Sequence, residues 1–299
     1  MTVHIRSLAD ARPVLRELWR SGRSIGSVHT LGALHEGHAR VIERAAAEND
    51  VRIVTVYPNK AQLAPGTRYA YDLERDVELA FRHGATHVIS SVDAEMYPGD
   101  YATVLDQGPR TQRLDGTVVP FLFRGMITMC IRWINFVRPH RTYWGGKDIG
   151  QLLLVRRAVA DLLIDTEVQP VPCVRYRSGI PISSRLLSLP IEPLQEVASV
   201  YRGLTRGREL IAEGERRTTA VLDGIRAVLA LDTFHLRYVK LATASEFMEP
   251  DQVPDAPFIL HVVIGNGRIN HFDGLLIESP DDLVSGPEVI WLDQEWPAT

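Results

Sequence analysis

Cysteine is scarce in this sequence: Cys130 and Cys173 are the whole complement, which excludes a disulfide framework and any Cys-rich zinc module. A reduced, cytoplasmic location is the expectation. Long apolar runs are missing too. The longest lies in GMITMCIRWINFV, where Arg132 and Asn135 interrupt it, far short of the ~20 residues that a bilayer span needs. His4, Arg6, Asp10 and Arg12 break up the first dozen residues, so no signal peptide and no membrane partner are expected. Nor is there an excess of one charge. Lys plus Arg number 33 against 37 Asp plus Glu, a net charge of −4, so no nucleic-acid partner is expected. Internal repeats and low-complexity tracts are absent as well. What remains is a globular composition, 45% hydrophobic over 299 residues, enough for about two domains at roughly 150 residues each.

From Ser24 to Val174 short β-branched runs alternate with amphipathic stretches. SIGSVHT, RIVTV, HVISS, RTYWG and EVQPVPCV are separated by helices after His35, through LERDVELAFRHG, through GMITMCIRWINFV and through DIGQLLLVRRAVADLL. Such alternation predicts a parallel sheet with right-handed crossovers, and it puts functional loops at the carboxyl ends of the strands. Leu73, Val77 and Phe81 recur at helical spacing before Gly84 and predict one helix face laid on the sheet. After Arg185 two helical stretches, roughly 193–212 and 216–231, precede FHLRYVKLA, FILHVVIG and RINHFDGLLI. Asn266-Gly267 predicts a hairpin turn between the last two, both residues tolerating positive φ. The expected fold is α/β: a parallel-sheet domain over 1–180 and a smaller α+β domain over 181–299, with a hinge in 178–190.

Four segments can carry chemistry. In HTLGALHEGH a strand runs through a glycine-containing loop into a helix, so His35 and His38 meet the positive end of a helix dipole, where anions are stabilised. Two surface histidines, or two of three zinc ligands, are the alternatives. IPISSR offers Ser183, Ser184 and Arg185, two hydroxyls and a guanidinium able to hold triphosphate oxygens, or else an ordinary loop. WGGKDIGQ places Lys147 as a point charge, Asp148 as a helix cap and Gln151 as a neutral donor. YPNKAQLAPG supplies the amides of Asn59 and Gln62, facing a cleft or merely forming a polar turn.

In chain order, together with AEMYP, FRGMITMC and VPCVR, these segments resemble the pantothenate synthetase family of His-x-Gly-His nucleotidyltransferases. The resemblance spans nearly the whole chain, and GALHEGH matches the family signature unbroken. It implies a Rossmann-like N-terminal domain, a smaller C-terminal lid and a homodimer formed through the N-terminal domain. It further implies that pantoate is joined to β-alanine with ATP and Mg²⁺, releasing AMP and pyrophosphate. Position by position, it implies His35, His38, Lys147, Ser183, Ser184 and Arg185 as the catalytic set on ATP. Thr30, Leu31, Gly32, Gly145, Asp148 and Val174 complete the implied ATP site. Leu31, Asn59, Gln62 and Gln151 fall on the acid side, Val119, Phe121 and Leu122 beside the amine, and Asp76 at a metal-ligand position.

The departures bear on specificity. Where the family reads Arg-Pro-Thr-His-Phe-x-Gly, this chain has Val119-Pro120-Phe121-Leu122-Phe123-Arg124-Gly125, so two polar groups beside the amine are apolar. Pro-Thr-Met-Gly is His29-Thr30-Leu31-Gly32, Asn-Pro-Met-Gln is Asn59-Lys60-Ala61-Gln62, and a common acidic pair is Arg75-Asp76. The expected activity is an AMP-forming acid-amine ligase whose amine is not β-alanine. Ordinary pantothenate synthesis, a nucleotidyltransferase that stops at its nucleotidyl product, and a non-catalytic nucleotide-binding relative are the alternatives. Neither cysteine is expected to take part.

Overall fold

The β-branched runs and amphipathic stretches condense into two compact units. The computed structural model describes residues 2–63, 69–184, 186 and 192–294. The first unit comprises 1–107, 121–145 and 154–171; the second comprises 108–120, 146–153 and 172–299. A single boundary at 180/181 is therefore replaced by one at 171/172, with two earlier segments joining the C-terminal part. The reason is physical. Both segments carry side chains that bond to or pack on the C-terminal sheet: Asp115 meets Tyr238 there, and Ile149 lies against Gly274.

Six parallel strands build the first unit: β1 (Val3–Ile5), β2 (Ile25–Thr30), β3 (Val51–Val56), β4 (His87–Ser90), β5 (Arg141–Gly145) and β6 (Glu167–Val171). Their order is β1-β4-β3-β2-β5-β6. The chain order reverses between β2 and β5, and at such a switch point the loops leaving neighbouring strands diverge and open a crevice. The helices are α1 (Leu8–Arg20), α2 (Glu36–Glu48), α3 (Leu73–Arg82), α4 (Asp93–Met96), α5 (Asp115–Val118), α6 (Leu122–Val137) and α7 (Ile149–Asp161). Of these, α5 and the first turn of α7 belong to the second unit. Ile25, Val51, Ile53 and Ile89 from the sheet pack with Leu15, Met129 and Trp133 from α1 and α6 in one core. On α3 the buried stripe is Asp76, Val77 and Ala80 rather than Leu73, Val77 and Phe81, because a buried hydrogen-bonding role draws Asp76 inward.

The run EVQPVPCV is not one strand. Pro172 lacks an N–H and ends β6, whose own Pro170 is accommodated because β6 is a sheet edge. The chain then enters the second unit as β7 (Cys173–Arg175), which pairs in parallel with β11 (Val289–Trp291). This unit also holds α8 (Glu192–Ala212), α9 (Thr218–Val228), α10 (Pro280–Ser285) and an antiparallel sheet of β8 (His235–Thr243), β9 (Phe258–Gly265) and β10 (Asn270–Ile277), in the order β10-β9-β8. Leu260, Val262, Ile264, Leu275 and Ile277 face α8 and α9 across its core. The β9–β10 turn differs from the expected one. Only Gly267 takes a positive φ, 82°, while the Asn266 side chain caps the turn by accepting the N–H groups of Arg268 and Ile269. Among the described residues no helix is long and apolar enough to cross a membrane.

Candidate active site

In the first unit the loop after β2 delivers the two histidines to the start of α2. Each caps the other. His35 is the N-cap residue and its Nδ1 accepts the Gly37 N–H at 3.1 Å, while His38 Nδ1 accepts the His35 N–H at 3.3 Å. The rings lie 4.1 Å apart. An Nδ1 that accepts a hydrogen bond carries no proton, so in both neutral rings the proton sits on Nε2. The pair thus sets two imidazoles at the positive end of a helix, an arrangement suited to phosphate oxygens. Backbone amides contribute less than the sequence suggests. The Gly37 N–H is taken by His35, the His38 N–H by the His35 carbonyl, and the N–H groups of Ala33 and Leu34 by Asp76.

Asp76, which the resemblance puts at a metal-ligand position, holds the signature loop in this structure. Its Oδ2 accepts from Ala33 at 2.8 Å and its Oδ1 from Leu34 at 2.7 Å. It therefore holds the signature loop, in which Gly32 and Ala33 have φ of 94° and 53°. Burial pushes the carboxyl up, and the two backbone donors oppose that shift. Among the described residues no three His, Cys, Asp or Glu side chains converge as a metal cage. An Mg²⁺ carried chiefly by phosphate oxygens and water needs few protein ligands. Thr30 donates to the Thr55 carbonyl and accepts from Gly32, so its work is also to shape the loop.

Asn59 and Gln62 are brought together, with unequal tasks. Asn59 is fully buried and all its hydrogen-bonding positions are engaged: Nδ2 donates to Gln62 Oε1 and to the Gly125 carbonyl, and Oδ1 accepts from Tyr97 Oη and the Ala61 N–H. Gln62 has its carbonyl oxygen tied to Asn59. Leu31 and Gly145 sit at the carboxyl ends of β2 and β5, both half-buried. Of the amine-side residues, Leu122 is buried in α6, while Phe121 lines an apolar cavity of about 140 Å³ with Ala61, Tyr97, Tyr101, Val104, Arg124, Gly125 and Thr128. Arg124 lies 3.8 Å from Asp106.

In the second unit, Lys147 is largely covered and pairs with Asp148 at 3.3 Å, and the Asp148 carbonyl accepts the Leu152 N–H to start α7. Gln151 is half-buried one turn on. Val174 in β7 accepts the Ile182 N–H, which sets the buried Ser183 and half-buried Ser184 beside that strand. Lys147 is near enough to influence ionisation of Cys173, the first residue of β7. Burial raises the Cys173 thiol to about 11, and the Cys130 thiol is raised by burial as well; both cysteines are free. Arg185 lies outside the described residues, and Val119 is half-buried in this unit.

These residues and the folds of the two units have counterparts in known proteins. A family model described as Pantoate-beta-alanine ligase covers residues 3–275. The chain belongs to the pantoate-β-alanine ligase family. Pantothenate synthetase of Thermosipho africanus is 31% identical over 276 residues, covering 91% of this chain and 99% of the relative. That of Coprothermobacter proteolyticus is 34% identical over 282 residues, covering 92% and 98%. The crystal structure of pantothenate synthetase from Thermus thermophilus superposes with a TM-score of 0.85 at 32% identity, covering 93% of this chain and all of that one. The chain is thus an ATP-dependent, amide-forming ligase of the pantothenate synthetase type, and the family uses ATP with Mg²⁺.

Sequence reasoning missed two clusters in the second unit. Arg175 and Asp273, both fully buried, form a two-pronged ion pair at 2.7 Å and 2.7 Å. Burial works to raise the Asp273 carboxyl, but the Arg175 guanidinium holds it below the usual range. The other cluster joins Asp115, Tyr238 and His261. Strand alternation in NHFDG, which puts His271 and Asp273 on the core face, was the available signal for the first.

Two buried histidines should contribute to the acid sensitivity of this chain. Burial pushes His29 and His271 down to about 3, and His271 Nε2 has no hydrogen-bond partner among the described residues. The folded state keeps both rings neutral, whereas the unfolded chain protonates them near pH 6.5. Their contribution is therefore full above pH 6.5 and is lost as pH falls toward 3, at about 1.4 kcal/mol per pH unit for each ring. His271→Leu removes one such proton and an unpaired nitrogen. Urea unfolding between pH 4 and 6 should show a shallower acid limb in this variant; an unchanged slope would refute the assignment.

Proposed function

We propose that this ligase adenylates pantoate or a close hydroxy acid and passes the acyl group to an amine less acidic than β-alanine. A carboxylate oxygen attacks the α-phosphorus and pyrophosphate leaves, with His35, His38, Lys147, Ser183, Ser184 and Arg185 as donors to the developing charge. A bound Mg²⁺ would supply neutralisation of the phosphate charge. Thr30, Leu31, Gly32, Gly145, Asp148 and Val174 form the nucleotide's surroundings, and Gln62 and Gln151 hold the acid, Asn59 orienting Gln62. The reaction takes place in the cytoplasm, in a homodimer formed through the N-terminal part.

The carrying observation for the amine is the character of residues 119–122. A buried carboxylate of β-alanine would need a cation or several donors, since leaving it unpaired costs several kcal/mol. Val119, Phe121 and Leu122 supply none, Phe121 lines an aromatic cavity, and Arg124 lies beside Asp106. Ordinary pantothenate synthesis is the second reading, favoured by the names of the relatives. A competition separates them: the acyl adenylate is formed in place from pantoate and ATP, β-alanine and neutral or apolar amines are offered together, and kcat/KM is compared. We expect the neutral amines to win by at least tenfold, about 1.4 kcal/mol. A preference for β-alanine returns the chain to ordinary pantothenate synthesis, and ADP in place of AMP overturns the adenylate route.

A further inference from the structure

We infer that Asp115 takes the proton released by the acceptor amine as the amide forms, and that Tyr238 and His261 position it and store that proton. The inference rests on the ligase reading above and concerns only its second half-reaction. Three side chains of the second unit close a triangle. Tyr238 Oη lies 3.2 Å from Asp115 Oδ1 and 3.0 Å from His261 Nδ1, and His261 Nε2 lies 3.5 Å from the same Asp115 oxygen. The two rings are stacked with centroids 5.7 Å apart. Asp115 and His261 are almost wholly enclosed, with side-chain exposures of 5% and 2%.

The triangle accommodates one extra proton without moving a heavy atom. With His261 neutral, Nδ1 accepts from the Tyr238 hydroxyl and Nε2–H points to Asp115. With His261 protonated, Nδ1–H donates to Tyr238 Oη, the hydroxyl turns to donate to Asp115, and Nε2–H still faces the carboxylate. Asp115 Oδ2 accepts no hydrogen bond among the described residues, so one carboxylate oxygen is available to a substrate nitrogen.

Placement adds a second line of support. Asp115 opens α5 directly after Leu114, a fully buried leucine at φ 46°. Side chains other than glycine rarely take that conformation, and such strain concentrates at working sites. Gly274 is required on the neighbouring strand, since a Cβ there would come within 2.8 Å of His261 Cδ2; Ile149, two residues after Lys147, approaches the same glycine. Lys147 and Asp148 are close enough to act on the Asp115 carboxyl, which burial raises and His261 lowers. Among the described residues, Lys240 and Glu249, paired at 3.2 Å, also lie beside Tyr238, and the neutral His271 stands on β10.

The chemistry balances. The amine nitrogen forms the C–N bond, the bond from the acyl carbon to the phosphate oxygen breaks with its electron pair leaving on AMP, and the N–H proton passes to Asp115 Oδ2. The carboxyl group then turns to carry that proton to Oδ1, from which it passes to Tyr238 Oη as the hydroxyl proton moves to His261 Nδ1.

The test separates the two half-reactions. Pantoate-dependent exchange of pyrophosphate into ATP reports adenylation, and single-turnover amide formation with β-alanine and with butylamine, followed from pH 5.5 to 9, reports transfer. Asp115→Asn is expected to reduce transfer ~10²–10⁴-fold more than exchange, the usual worth of a general base. His261→Gln keeps a hydrogen-bonding group beside Tyr238 but cannot store a proton; it is expected to fold and to lose the acid limb of the transfer profile. Equal losses in both half-reactions, or an unaltered acid limb in His261→Gln, would overturn the assignment. Absence of exchange in the unaltered protein would overturn the ligase reading, and this inference with it.

Discussion

Replacing Lys147 with alanine should lower pyrophosphate exchange by ~10²–10³-fold while leaving the melting temperature close to that of the unaltered protein. Removing one preorganised donor to a developing negative charge typically costs that much in rate. The structural cost is small because the ion-pair partner Asp148 is 47% exposed and can be resolvated. His38 behaves differently, since its Nδ1 also caps α2. His38→Ala should lose a comparable factor in rate and, in addition, about 1 kcal/mol of stability. His38→Gln separates the two contributions: glutamine at the third helical position can accept the N-cap N–H, so stability should return while the rate stays low. Near-normal exchange in Lys147→Ala and His38→Gln together would remove both residues from the chemistry.

Asp273→Ala should destabilise the protein by about 3–5 kcal/mol, the cost of leaving a buried cation without its partner. Arg175 has no alternative carboxylate within the interactions described: its Nη groups serve Asp273 and the Gly179 carbonyl, its Nε has no partner, and the Tyr201 ring covers it at 4.2 Å. The double variant Arg175→Met, Asp273→Leu removes both charges and should recover most of the loss, because a well-packed apolar pair is often as stable as a buried ion pair. Urea unfolding checks both. The pair also matters to the site, for Arg175 anchors the turn at Gly179 that leads to Ser183. ATP affinity should therefore remain impaired in the double variant even where stability returns. A loss below 1 kcal/mol in Asp273→Ala would mean that water reaches Arg175.

The alternation of strands and helices, the helix start at His35 and the antiparallel C-terminal strands were legible in the linear chain. Each depends on local spacing: period two on a pleat, period 3.6 on a helix, and a cap where the pattern begins. GALHEGH and GGKDIGQ were likewise visible because a loop leaving a strand for a helix is a local event. The partners of the polar groups were not. Asp76 reads in sequence as a metal-ligand candidate by resemblance, and only folding brings it to the amides of Ala33 and Leu34, more than forty positions away. Pro172 marks an interruption in a strand, yet its sequence does not say that β7 will pair with β11. Asp115 and Tyr238 stand 123 positions apart and meet because the segment before α6 packs on the C-terminal sheet. Backbone geometry makes periodicity readable in a short window, whereas burial leaves a polar side chain to find its partner through space, among neighbours that strand order and crossovers assemble.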